Sequence, residues 1–300
     1  MENGTYRDID GVPRVYCDGY WIKRYDPPAD TWAAKKQLID ALTRRLFNHT
    51  EHGINIPGRR LDAAREAYDA ETDPATKRVK GAMLAGALFN RAADIFNHLV
   101  ELEACGVHIA SNNDLMRECG RCLTEALEFG RNVRHRNGDE GIDELWGEPF
   151  KAFTMPIDAF YESRYIKIAM TMRAIDGLTS SLSKSLRGSP LFTGIEPSIE
   201  AFAIAARRKS ETLRTDPDIF EIWPDFVVSA EHLQEFQPRL ATTPRPEDLE
   251  LAEQGARLIR KCVQLVSDIS RARTPMPKSG REFVALCESF AAAASNPSAA

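Results

Sequence analysis

The segment Ile157 to Leu178, IDAFYESRYIKIAMTMRAIDGL, constrains this chain more than any other, because it is helical in period yet apolar on several sides. At about 100° per residue, Ile157, Tyr161, Tyr165, Ile168, Met172 and Ile175 share one stripe, and Ile166 and Met170 fall on the far side. Surface helices are polar there, so the pattern predicts a central helix wrapped by neighbours in an all-α body. Glu162, Arg164, Lys167, Arg173 and Asp176 are set among these apolar positions. Charges are seldom buried unless paired or facing a wet cavity, so they belong either to a salt-bridged, solvated strip or to a ligand cavity.

From Asp30 onward, helix start and stop signals recur to the end of the chain. They predict a helical bundle of about ten helices over residues 30–294, with a glycine- and proline-rich sub-boundary near 187–197 and a frayed tail at 295–300. Asp73-Pro74 is an N-cap with proline at the first helical position, opening a long helix to about Cys105. Another helix runs from about Ser111 to His135, followed by a loop from Arg136 to Met155 in which Trp146 is the residue to bury. Ser279 and Glu282 fit a capping box for the last helix. Residues 1–29 differ from all of this. TYRDIDGVPRVYCDGYWIKRYDPP alternates β-favouring residues around Asp10-Gly11 and Asp18-Gly19, which predicts a short β-meander. A sheet this small cannot bury Tyr16, Tyr20, Trp21 and Tyr25 by itself, so it packs as a clasp on the helices or on a second subunit.

Composition narrows the function classes. The net charge of -5, from 39 basic and 44 acidic residues, gives no bulk argument for nucleic acid or for an anionic membrane. The amino terminus has no secretory pattern and no apolar run reaches the length of a membrane span, so the chain reads as cytoplasmic. Six cysteines then read as reduced thiols. There is no glycine-rich phosphate loop, no Gly-x-Ser-x-Gly elbow and no His-Glu-x-x-His, which argues against nucleotide hydrolysis, serine hydrolysis and thermolysin-like proteolysis.

Four arrangements could carry chemistry. Asp94, His98 and Glu101 have i, i+4, i+7 spacing, and two carboxylates with an imidazole suit a divalent or iron-type metal in a helical bundle. The same residues would equally serve as the polar face that any amphipathic helix needs. His98 and Glu162 are the candidate acid–base pair of an enzyme sited between helices 74–105 and 157–178. Tyr161, Arg164, Tyr165, Lys167 and Arg173 would line a small-molecule pocket beside the central helix. Cys119-Gly120-Arg121-Cys122 sets two thiols on one side of a helix, with Arg121 placed to lower a thiol pKa.

Two patterns, the cysteine pair and a recurrent arginine–histidine spacing, resemble known families. Cys119-x-x-Cys122 resembles the helical peroxidase-reductases, although those carry a histidine on the next turn where this chain has Glu125. Arg44 with His49, and Arg91 with His98, are similar in spacing to the arginine and histidine of HEPN-type helical ribonucleases, although Ala92 stands where a polar residue usually follows the arginine. The leading expectation is a protein that acts by binding a small molecule or a protein partner, the latter through a surface that includes the meander, with a homodimer as one form it could take. The alternatives are a helical enzyme with an acid–base or metal site, and a HEPN-like ribonuclease.

Overall fold

The computed structural model describes residues 1–54, 60–110, 112–136, 138, 143–213 and 223–295. Among them are ten α-helices and one three-stranded antiparallel sheet at the amino end. No helix among the described residues is long and apolar enough to cross a membrane. The chain forms two compact units, one of residues 1–24, 164–213 and 223–295, the other of residues 25–163.

The meander unit begins with strands β1 (Tyr6–Ile9), β2 (Val12–Cys17) and β3 (Tyr20–Lys23). Asp10, Gly11, Asp18 and Gly19 all have positive φ, so each Asp-Gly pair makes the tight turn that its twist requires. Tyr6 pairs with Val15, Val15 with Ile22, and Tyr16 with Trp21. By alternation, Val15, Cys17 and Ile22 share the face that is buried. The sheet is held to helices α6 (Ile157–Arg187) and α7 (Glu196–Glu211) by polar contacts. Arg14 reaches Glu211 at 2.5 Å, Tyr20 Oη donates to Asp176 at 2.7 Å, and Arg173 pairs with Asp18 at 2.7 Å. These contacts make the meander a clasp on its own unit.

Leu178, Leu182 and Leu186 of α6 meet Phe202 and Ala206 of α7, Phe226 and Leu233 of α8 (Pro224–Gln234), Cys262 and Val266 of α9 (Pro246–Ala272), and Phe283 and Phe290 of α10 (Lys278–Ser295) in one apolar core. The stretch at 187–197 lies inside this unit as a 3-10 turn, Pro190–Phe192, and Phe192 is a core residue at 1% exposure. It comes so close to α9 that a Cβ at Gly255 would lie 2.1 Å from its ring. Two expectations need correction. Helix α6 is not enclosed all round, since Asp158, Glu162, Ile166, Arg173, Ser180 and Arg187 form an exposed strip. The capping box does not form either: α10 already starts at Lys278, and the buried Ser279 hydroxyl has no hydrogen-bond partner.

The second unit holds α1 (Trp32–His49), α2 (Leu61–Asp69), α3 (Pro74–Ala104), α4 (Asp114–Gly130) and α5 (Asp143–Thr154). Side-chain caps start three of them: Thr31 accepts from Ala34 N, Asp73 from Thr76 N, and Asn113 from Met116 N. Helix α5 occupies what reads in sequence as loop, because Gly147 and Pro149 look like breakers, yet the helix continues through Pro149, which has no N–H to donate to Leu145 O. Helix α4 stops at Gly130, five residues before His135. A Cβ at Gly130 would lie 2.6 Å from the buried Trp146 ring. The chain after it turns back to pair His135 with Thr50, with Arg136 N donating to His49 O and Glu51 N to Arg134 O.

Candidate functional site

The sequence-predicted metal ligands do not form a metal site. Asp94, His98 and Glu101 lie exposed on α3, opposite the buried Leu84, Leu88, Ile95 and Leu99. Only His98 and Glu101 approach each other, at 3.4 Å, with about three-quarters of each side chain exposed. Among the described residues no group of three or more His, Cys, Asp or Glu could hold a metal ion. The i, i+4, i+7 spacing marks the solvent face of an amphipathic helix. Glu162 is exposed as well, so His98 and Glu162 line no enclosed cavity.

The residues expected around the central helix divide by burial. Tyr161, Arg164 and Tyr165 are buried, Lys167 is half-buried, and Arg173 is exposed in its pair with Asp18. Neither arginine–histidine pair of ribonuclease spacing converges. Arg44 is exposed while His49 is buried, and Arg91 is engaged by Glu118 at 2.9 Å while His98 points to solvent. The cysteine pair is not an activated dithiol. Cys119 is buried against Ala92 O, and burial pushes its thiol up to about 12, while burial likewise raises Cys122. Arg121 is exposed and does not offset these shifts.

Two other places have the features of a site. The first is a groove of about 390 Å³ between α9 and α10 in the meander unit. Leu258 and Phe290 are buried at its floor, Leu286 remains 46% exposed, and Gln254, Arg257, Lys261 and Ser289 supply the polar atoms. Positions 254, 257, 258 and 261 repeat at three and four residues, so α9 presents one continuous wall. Arg257 is paired with Glu253 at 2.6 Å, whereas Lys261 makes no ion pair among the described residues.

The second place is in the other unit, where four ionisable side chains from three segments are buried together. Arg45 and His49 stand one turn apart on α1, at 2% exposure each; Glu148 of α5 is at 1% and His135 at 8%. Arg45 approaches Glu148 at 4.0 Å. The imidazoles of His49 and His135 stack, with ring centroids 5.7 Å apart and planes 29° apart. Trp146 borders the group by sequence, packs on Phe47 and Phe89, and keeps its buried indole N–H without a hydrogen-bond partner. A carboxylate and two imidazoles can exchange protons beside a guanidinium that stays a fixed cation, and burying such groups costs several kcal/mol unless they compensate one another. The sequence did carry a signal for half of this group. Arg45 and His49 continue the core stripe Leu38, Leu42, Leu46 of α1, and charges at core positions are the exception to explain.

Comparison with protein-family models, with curated proteins and with solved structures finds no match to this chain.

Proposed function

We propose that this protein acts by binding, and that the groove between α9 and α10 receives a small, partly apolar molecule. The observation that carries this reading is the groove itself: its volume of about 390 Å³ lies within the ~300–1,000 Å³ of small-molecule sites, and its apolar floor is flanked by a few polar groups. Leu286 supports it, since a large aliphatic side chain is left half in solvent beside the buried Leu258 and Phe290. The pocket beside residues 157–178 gives way to this one as the binding site.

Native mass spectrometry of the untagged protein, with metal content measured on the same sample, tests the reading. A stoichiometric added mass that disappears in Leu286→Trp, a variant that fills the groove from its exposed edge, supports it. An added mass that survives the substitution, or no ligand-bound species at all after incubation with amphiphiles, overturns it.

A second reading, an acid–base enzyme, is favoured by one observation: the buried Arg45, His49, His135 and Glu148. They replace His98 and Glu162 as the groups such an enzyme would use, with one imidazole accepting a proton while the other donates. Its test is turnover on a panel of RNA and activated esters. Loss of any turnover in both His49→Asn and His135→Asn, with the fold retained by circular dichroism, favours this reading over binding alone.

A further inference from the structure

We infer that the ligand of the α9–α10 groove is an anionic amphiphile, a single apolar chain or ring ending in a carboxylate. The inference rests on the binding reading above and specifies the chemistry of that site. Arg257 and Lys261 stand one turn apart on the same wall, at the rim above Leu258. Lys261 is exposed with no ion pair among the described residues, so its charge is available to an incoming anion. Arg257 is held by Glu253, but those side chains are 54% and 67% exposed, and a pair that wet is readily exchanged. Among the described residues the groove's lining contains no carboxylate: its remaining polar residues are Gln254 and Ser289, both neutral. Glu282, one turn before Leu286 on α10, pairs with Lys278 at 3.9 Å and is not among the described residues that line the groove. The floor below, Leu258, Leu286 and Phe290, offers nothing to a polar tail. Cationic rim and apolar floor together select a molecule with a negative head and an apolar body.

Along α9 the lining runs from 254 to 261, about 10 Å, and along α10 from 286 to 290, about 6 Å, a recess of the length of a medium-chain amphiphile.

The test is calorimetric titration of the full chain with decanoate, decanol and decyltrimethylammonium, which share a tail and differ in the head. Decanoate is expected to bind about tenfold tighter than decanol, and the cation weaker than either, as one charge-assisted contact would give. Lys261→Met is expected to abolish the decanoate advantage and leave decanol affinity unchanged. Equal affinities for decanoate and decanol, or tighter binding of the cation, overturn the assignment of an anionic head while the groove reading stands, as long as Leu286→Trp blocks binding. Failure of all three probes to bind overturns the groove reading and this inference with it.

Discussion

The two units of this chain differ in where they gather buried ionisable groups. The meander unit has an apolar core of leucine, isoleucine and phenylalanine, and its ion pairs Arg14–Glu211 and Arg173–Asp18 join the sheet to helices from the partly wet side. Its buried charges are Arg164 of α6, and Lys209, Asp268 and Arg273 near the carboxyl ends of α7 and α9. The second unit instead places Arg45, His49, His135 and Glu148 beside Trp146 and the aromatic rings around it. An apolar core tolerates an open groove at its edge, because stability does not depend on filling it. A core built round buried charge tolerates little, since each group is costly once its partner is gone.

The largest effect is expected at that buried charge. Glu148→Leu removes the buried carboxylate that Arg45 approaches at 4.0 Å and should cost about 3–5 kcal/mol by chemical denaturation. Combining it with Arg45→Met should recover a large part of that loss, since an apolar replacement of the whole pair is often neutral. If the single change is silent, the second unit does not depend on its buried pair and the contrast between the units fails. If the double variant is no better than the single one, Arg45 and Glu148 act independently.

A matched pair of glycine substitutions gives a smaller, more even comparison. Gly255→Ala would put a methyl 2.1 Å from the Phe192 ring in the meander unit, and Gly130→Ala one 2.6 Å from Trp146 in the other. Each is an overpacking change worth about 1–3 kcal/mol. Phe192→Leu should rescue part of Gly255→Ala, because it removes the atoms that clash. Trp146→Leu should rescue Gly130→Ala less well, since Trp146 also packs against Phe47 and Phe89. Equal rescue in thermal denaturation would show the two cores to be similarly adaptable.

These residues also show what could be read from sequence. The meander was legible because Asp10-Gly11 and Asp18-Gly19 are local instructions that need no distant partner. The start of α3 was legible for the same reason, with Asp73 capping Thr76 N. The end of α4 was not, because the segment after Gly130 is held by a distant partner, His135 pairing with Thr50 and Arg136 N donating to His49 O. The polar face of Asp94, His98 and Glu101 was identified as a face, yet periodicity cannot tell solvent from a site. Arg45 and His49 stand as ionisable residues on the core stripe of α1, but their meeting with His135 and Glu148 depends on the turn back after Gly130 and on a helix hidden behind Gly147 and Pro149. The groove needed two helices to be brought side by side.

The smallest effect expected is a pH-dependent one at the edge of the same unit. Burial pushes the Glu51 carboxyl up, but the two-point contact from Arg78, at 2.6 and 2.9 Å, and the Arg134 N–H outweigh it and hold the group below the ordinary carboxylate range. A carboxyl whose folded pKa is lowered adds stability above its unfolded pKa and loses it as pH falls through the folded value. Glu51→Gln should therefore cost about 1 kcal/mol at neutral pH, the scale of a half-buried pair, and progressively less in acid. Melting curves of the two proteins should converge below the folded pKa of Glu51. A gap that persists in acid would mean that Glu51 contributes through shape and neutral hydrogen bonding, and that charge matters in this unit only where it is fully buried, at Arg45 and Glu148.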